Sequence, residues 1–359
     1  VRGTLRESDS LRVPLTYRTV IRVHATRAVT VIVSGMSNVE TDPAELACGG
    51  DPVDPGKVEI LDARSVPLGG PRAMPVRRTL PQRQRSLIGA WCFADHYGPD
   101  DTSVSGGMSV GPHPHTGLQT VSWLFTGEIE HRDSLGSHAM VRPGEVNLMT
   151  GGNGICHEEV STPETTTLHG VQLWVALPDE HRHTARDFQH YVPPATALDG
   201  ATARVFLGTL AGETSPVKTF TPLLGAEIVL DPGASLSLAA DPSFEHGVLL
   251  DTGELTFAGT PLRRAQLGYL GIGATTLDLH NPGSSPARAI VLGGPPFGEE
   301  ILMWWNFVGR SHDEIAEYRE AWEANSDQFG AIEPYPGGPA RLPAPPLPAV
   351  RIKPRRNPS

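Results

Sequence analysis

Two short pairs, His113-Pro-His115 and His157-Glu-Glu159, lie in strand-like stretches of this chain. Side chains two positions apart on a strand project from the same face. Each pair therefore demands an extended segment that turns two donors to one side. Two such strands side by side in a small barrel bring four ligands to one point. Between them lie a hairpin turn at Thr126-Gly127-Glu128 and a second turn at Pro143-Gly144.

The rest of the chain agrees with a β architecture. With 39 Gly and 34 Pro in 359 residues, many short strands joined by turns fit better than a helical bundle, and the length suggests about two domains. A net charge of −11 lacks the basic footprint of a general nucleic-acid binder. It suits small-molecule or protein partners, with no direct nucleic-acid contact. Cys48, Cys92 and Cys156 are too few and too scattered for a disulfide framework or a zinc ribbon. They point to a reducing compartment, so a cytoplasmic location is expected. No apolar run reaches the roughly 18 residues of a membrane span, and a monomer is expected.

Residues 1–56 read as a disordered or non-native extension. The first 35 hold six arginines and one short apolar run, too short for a signal peptide, and translation is expected to begin at Met36. Strands start at Val58. Residues 87–95 read as a buried strand. In 120–125, Val121, Trp123 and Phe125 share one face, and Thr120 and Ser122 the other. Extending that parity backward puts Gln119, His115 and His113 on the Val121 face. Ile129, His131 and Asp133 alternate with Glu128, Glu130 and Arg132; His131 and Asp133 fit either a barrel mouth or an exposed hairpin edge.

A fainter copy follows. Residues 248–257 parallel 122–131 around a shared Thr-Gly-Glu turn, so two related barrels are expected. The copy has Ala239 and Asp241 where the first has His113 and His115, and reads as metal-free. Ser311-His-Asp-Glu314 reads as a capping box opening a packing helix, with Ile315, Tyr318 and Trp322 along its buried side. The resulting division is 1–56 extension, 57–186 metal-binding barrel, 187–330 metal-free barrel with the helix, and 331–359 a Pro-rich tail read as disordered.

Three imidazoles and one carboxylate leave two positions of an octahedron open. That suits one divalent ion, Fe(II) first, with Mn, Ni, Co or Zn as substitutes. One anionic ligand leaves such a centre about one positive charge, which favours an anionic, chelating oxygen substrate and permits dioxygen chemistry.

The runs His-Pro-His-Thr-Gly-Leu-Gln-Thr-Val (113–121), Gly-Glu-Ile-Glu-His-Arg-Asp-Ser (127–134), Met-Thr-Gly-Gly-Asn-Gly-Ile-Cys-His-Glu-Glu (149–159) and Pro-Phe-Gly-Glu-Glu-Ile-Leu-Met-Trp-Trp-Asn-Phe-Val-Gly-Arg (296–310) resemble the pirin family of the cupin superfamily. The resemblance covers about residues 57–325. It implies an all-β fold of two antiparallel cupin (jelly-roll) barrels, a few short helices and a C-terminal helix. It implies one mononuclear iron in the first barrel, held by His113, His115, His157 and Glu159. It also implies either a quercetin 2,3-dioxygenase acting on a small anionic aromatic such as a flavonol, with Glu159 or a neighbouring base accepting the proton, or a metal- or redox-dependent regulator acting through a protein partner. Gln119 stands where the family commonly has Glu, and Thr116 where Arg is frequent; Gln119 is expected to face the site. Cys156, between two inward residues, reads as a buried core thiol or, more sharply, a redox-sensing one.

Overall fold

The computed structural model describes residues 56–357 except 69–73, 334, 339 and 356; the expectations for the N-terminal extension fall outside the described residues. The first part of the chain forms β1 (Glu59–Leu61), β2 (Arg64–Leu68), β3 (Met74–Leu80), β4 (Trp91–Asp101), the short α1 (Thr102–Ser105), β5 (Ser109–His115), β6 (Leu118–Thr126), β7 (Ile129–Asp133), β8 (His138–Val141), β9 (Val146–Thr150), β10 (Ile155–Ser161), β11 (Thr167–Ala176) and β12 (Asp187–Tyr191). The second part forms β13 (Thr196–Leu198), β14 (Ala201–Leu207), β15 (Thr209–Leu210), β16 (Glu213–Thr214), β17 (Leu224–Leu230), β18 (Ser235–Ala239), β19 (Glu245–Thr252), β20 (Leu255–Phe257), β21 (Thr260–Leu262), β22 (Leu267–Leu270), β23 (Thr276–His280), β24 (Ala287–Gly294), β25 (Leu302–Trp304), β26 (Phe307–Gly309) and α2 (His312–Glu323).

All named strand pairs are antiparallel. A seven-stranded sheet, β12-β9-β6-β11-β4-β3-β2, faces the four-stranded sheet β5-β10-β7-β8 to make the first barrel. Its counterpart, β1-β22-β19-β24-β17-β14-β13, faces β18-β23-β20-β21 to make the second. The period-2 rule sorts side chains cleanly in the second barrel. Val248 and Leu250 enter an interior of Ile228, Phe257, Leu277, Leu279 and Val291, while Leu249 points to the other face of its sheet. That other face packs against the first barrel's large sheet. Trp123 packs against Phe206 with centroids 4.7 Å apart and rings tilted by 30°, and it gives its indole N–H to Glu227 at 2.9 Å. The two barrels thus share one continuous apolar seam, with Leu80, Trp91, Val121 and Leu173 against Leu267, Ile290 and Leu292.

The barrels are not cut at one point of the chain. β1 pairs with β22 of the second barrel, and β12 with β9 of the first, so the 57–186 and 187–330 division does not follow the sheets. The helix also differs from its assignment. α2 buries Ile315, Tyr318 and Trp322, as the spacing predicts, but against Met108, Val110 and Cys156 of the first barrel. Ser311 caps it by accepting from the Glu314 amide.

The tail corrects an expectation of disorder. Leu342 and Ala344 are buried. The Trp322 indole donates to the Leu342 carbonyl at 2.9 Å, and the Leu342 amide to the Pro112 carbonyl at 2.9 Å. The Asn357 side-chain oxygen accepts from the amides of Ser86 and Leu87. Composition argued for a solvated segment because the tail is Pro-rich and basic. An extended Pro-rich strand, however, has few N–H groups to leave unsatisfied when it lies in a groove. Among the described residues no helix is long and apolar enough to cross a membrane.

Candidate metal centre

β10 is an inner strand of the small sheet, with β5 on one side and β7 on the other. His157 lies opposite His113 across the β5 pairing. On the other side Asp133 lies opposite His157, and His131 opposite Glu159. A register shift between His157 and Glu159 marks a bulge, a device that re-aims a side chain. The strand spacing thus does what the sequence demanded: His113, His115 and His157 converge, each 1% exposed.

The geometry of that trio suits a metal. His115 Nε2 and His157 Nε2 are 3.0 Å apart, and two nitrogens each about 2.1 Å from one ion at right angles would be about 3.0 Å apart. His113 Nδ1 faces the Gly111 carbonyl at 2.9 Å; a carbonyl only accepts, so Nδ1 carries the proton and Nε2 keeps its lone pair. Burial holds His113 down to about 4, and His115 and His157 well below the usual imidazole value. All three rings are therefore neutral donors at neutral pH, the form a divalent ion requires.

Glu159 lies slightly apart. Its donor atoms fall in a second cluster with His131 and His157, and His157 is common to both clusters. Ser122 Oγ donates toward Glu159 Oε1 at 3.1 Å, and burial raises the carboxyl above the usual range. Around it the interior wall carries Gln172, 3.0 Å from Ser122, and Tyr97, whose hydroxyl burial and the Glu159 charge together push up. Beyond them the Arg78 guanidinium pairs bidentately with Asp95 at 2.7 and 2.8 Å.

Two expectations about facing are corrected. The site lies on the Thr120/Ser122 face of β6, since Ser122 meets Glu159 there, while Val121 and Trp123 turn to the seam between barrels. The pleat does not run through from His115. Thr116-Gly117 turns the chain from one sheet into the other, with φ +67 at Gly117, where a Cβ would strike the Val308 carbonyl. Gln119 accordingly shares the parity of Val121 and gives its amide to the Thr150 hydroxyl at 3.0 Å, rather than aiming at the histidines. Cys156 points outward and is buried near Trp322 and Phe329, with burial pushing its thiol up to about 12.

His131 and Asp133 are settled as inward: both are buried, and His131 Nδ1 lies 3.4 Å from His157 Nδ1. Their alternation with polar neighbours was visible, but only the pairing of β7 with β10 tells a wall from a rim. A further cluster, His96, His169 and Asp251, went unread because it joins β4, β11 and β19. Its groups satisfy one another. Asp251 Oδ1 accepts from His96 at 2.7 Å and His169 at 2.6 Å, and Oδ2 from Arg288 at 2.6 Å. The Arg77 Nε donates to the remaining His96 nitrogen at 3.0 Å. This is a polar clamp between barrels, with both His96 nitrogens committed.

Comparison with known proteins agrees with this geometry. Residues 73–175 match the Pirin family model, and residues 225–329 the model of the Pirin C-terminal cupin domain. A Pseudomonas aeruginosa protein provisionally named a quercetin 2,3-dioxygenase is 46% identical over 293 residues, 81% of this chain and 91% of that protein. A pirin-like protein of Caulobacter vibrioides is 35% identical, over 74% of this chain and 92% of its own length. The crystal structure of a quercetin 2,3-dioxygenase from Acinetobacter baumannii superposes with a TM-score of 0.77 at 38% identity, covering 84% of this chain and 98% of that one.

Proposed function

This chain belongs to the pirin family, and from that premise we propose that it is a mononuclear metal protein with quercetin 2,3-dioxygenase-type activity. It carries one divalent ion, Fe(II), and acts as a cytoplasmic monomer on a small anionic aromatic such as a flavonol. The observation that carries this reading is the convergence of three buried imidazoles beside one buried carboxylate. His113, His115 and His157 would hold the ion, with Glu159 as the fourth donor. When bound, the ion supplies a positive centre for a chelating enolate and redox chemistry toward dioxygen.

The chain's own residues do the rest. In this reading Glu159 accepts the proton of an incoming enol, and the Ser122 hydroxyl 3.1 Å from Oε1 supports it by holding one of its oxygens. Tyr97 and Gln172 form the polar wall on that side, and Trp174, edge-on to His115 with centroids 5.1 Å apart, closes the apolar side. The buried barrel keeps bulk water from the reacting groups.

Aerobic loss of quercetin absorbance in the presence of the iron-loaded chain tests the proposal. Turnover above free iron, absent from His113→Ala, is the expected result. No turnover, together with co-purification of one discrete protein, would favour the regulatory reading.

A further inference from the structure

The reading above uses His157 but gives no task to its neighbours His131 and Asp133. Both come from β7, on the side of β10 away from His113. Asp133 is fixed first. Its Oδ1 accepts from the amides of Leu135 at 2.9 Å and Ser137 at 3.0 Å, which close the turn after β7. Its Oδ2 faces His131 Nε2 at 3.2 Å.

The protons then follow in order. A carboxylate only accepts, so His131 Nε2 carries a proton, which leaves Nδ1 as the ring's one acceptor. That Nδ1 stands 3.4 Å from His157 Nδ1. Two lone pairs would repel, so the proton between them belongs to His157 Nδ1. The ring of His157 then keeps its lone pair on Nε2, the nitrogen 3.0 Å from His115 Nε2. One chain of hydrogen bonds thus runs from Asp133 through His131 to the ring that faces the other two histidines.

We propose that His131, oriented by Asp133, is a positioning residue that fixes which nitrogen His157 offers to the metal. It is not itself a ligand. This rests on the reading of His157 as a ligand. The rival assignment takes the His131, His157 and Glu159 cluster as the metal site. That would turn His157 Nδ1 to the ion and remove His157 from the His113/His115 pair.

The test is Co(II) and Ni(II) affinity of the full chain by chelator competition, with ligand counting by X-ray absorption at saturation. Asp133→Asn keeps an oxygen for the turn amides but offers an N–H to His131, which inverts that ring's tautomer. His131→Phe removes the acceptor, and His131→Asn restores one near the Nδ1 position. Asp133→Asn and His131→Phe should each weaken binding about 10- to 100-fold. The double variant should be no weaker than the poorer single, as expected for one shared chain. His131→Asn should recover part of the loss, and the imidazole count should stay at three throughout. Affinities within twofold of wild type in folded variants would overturn the proposal alone. So would loss of one imidazole from the ion in His131→Phe. A wild-type chain that binds neither ion would overturn this proposal and the metal reading together.

Discussion

Ser122 Oγ stands 3.1 Å from Glu159 Oε1 and 3.0 Å from Gln172 Oε1, all three buried inside the first barrel. A hydroxyl has one proton to give. Given to Glu159, it anchors one carboxylate oxygen and leaves the other for an ion or a proton. Glu159→Gln keeps the shape and one oxygen donor but removes the charge and the base. Turnover should fall about 100-fold or more, the usual range for a lost general base, while metal occupancy falls far less. Equal activity at equal occupancy would remove Glu159 from its dual role.

The indole of Trp322 is held at its edge, where its N–H donates to the Leu342 carbonyl at 2.9 Å, and over one face, where the Arg341 guanidinium lies 3.3 Å from the ring centroid. Trp322→Ala should cost about 3–5 kcal/mol in urea unfolding, as for other buried large side chains. Truncation after residue 333 should destabilise the chain in the same direction, because it uncovers the same ring. A change below about 0.5 kcal/mol in both would mean that this face is held by something other than the tail.

Asp251 is 155 positions from His96 in sequence and 2.7 Å from it in space, so it ties the second barrel to the first. Asp251→Ala strips the carboxylate partner from Arg288 and from two buried histidines. Removing one member of a buried pair typically costs about 3–5 kcal/mol. Asp251→Asn, which retains one acceptor oxygen, should cost less. If the alanine variant melts within a degree of wild type, the clamp does not hold the barrels together.

The donor pairs at 113/115 and 157/159 were legible as candidates because a strand's period of two predicts a common face without tertiary knowledge; the three histidines do meet, while the bulge after His157, which sets Glu159 slightly apart, was not legible. The buried side of α2 was legible through a different period, the three- and four-residue spacing of Ile315, Tyr318 and Trp322 on a helix, and the second interior was read as metal-free because Ala239 and Asp241 replace the first barrel's histidine pair. What failed were statements needing a partner. Whether His131 and Asp133 line a wall depends on β7 lying beside β10. The site side of β6 depends on how Gly117 turns between two sheets. His96, His169 and Asp251 meet only after two barrels pack, so no local spacing could announce them. The tail misled because composition counts polar and Pro residues, whereas docking depends on a few apolar anchors such as Leu342.

Buried histidines give the metal-free chain a definite response to acid. Burial, ahead of every other influence, holds His96 and His246 down to about 4, against about 6.5 in an unfolded chain. Between those values the unfolded state binds protons that the folded state refuses, so stability is full above about 6.5 and falls as pH drops toward 4. The slope per histidine is at most about 1.4 kcal/mol per pH unit. Asp251, held far below the usual carboxylate range despite burial, by its bonds to His169 and His96, stays ionised across this window. Its contribution is lost only below about 3.9, where unfolded carboxylates protonate. Glu158, Glu159 and Glu227, raised by burial, act in the opposite sense, so the observed slope is a difference. His246→Gln isolates one part of it, because it removes one titrating group from the window. The melting temperature of the metal-free chain should fall from pH 7 to 4.5, and the fall should be shallower in His246→Gln. Parallel curves for the two proteins would show that His246 is not held neutral in the fold.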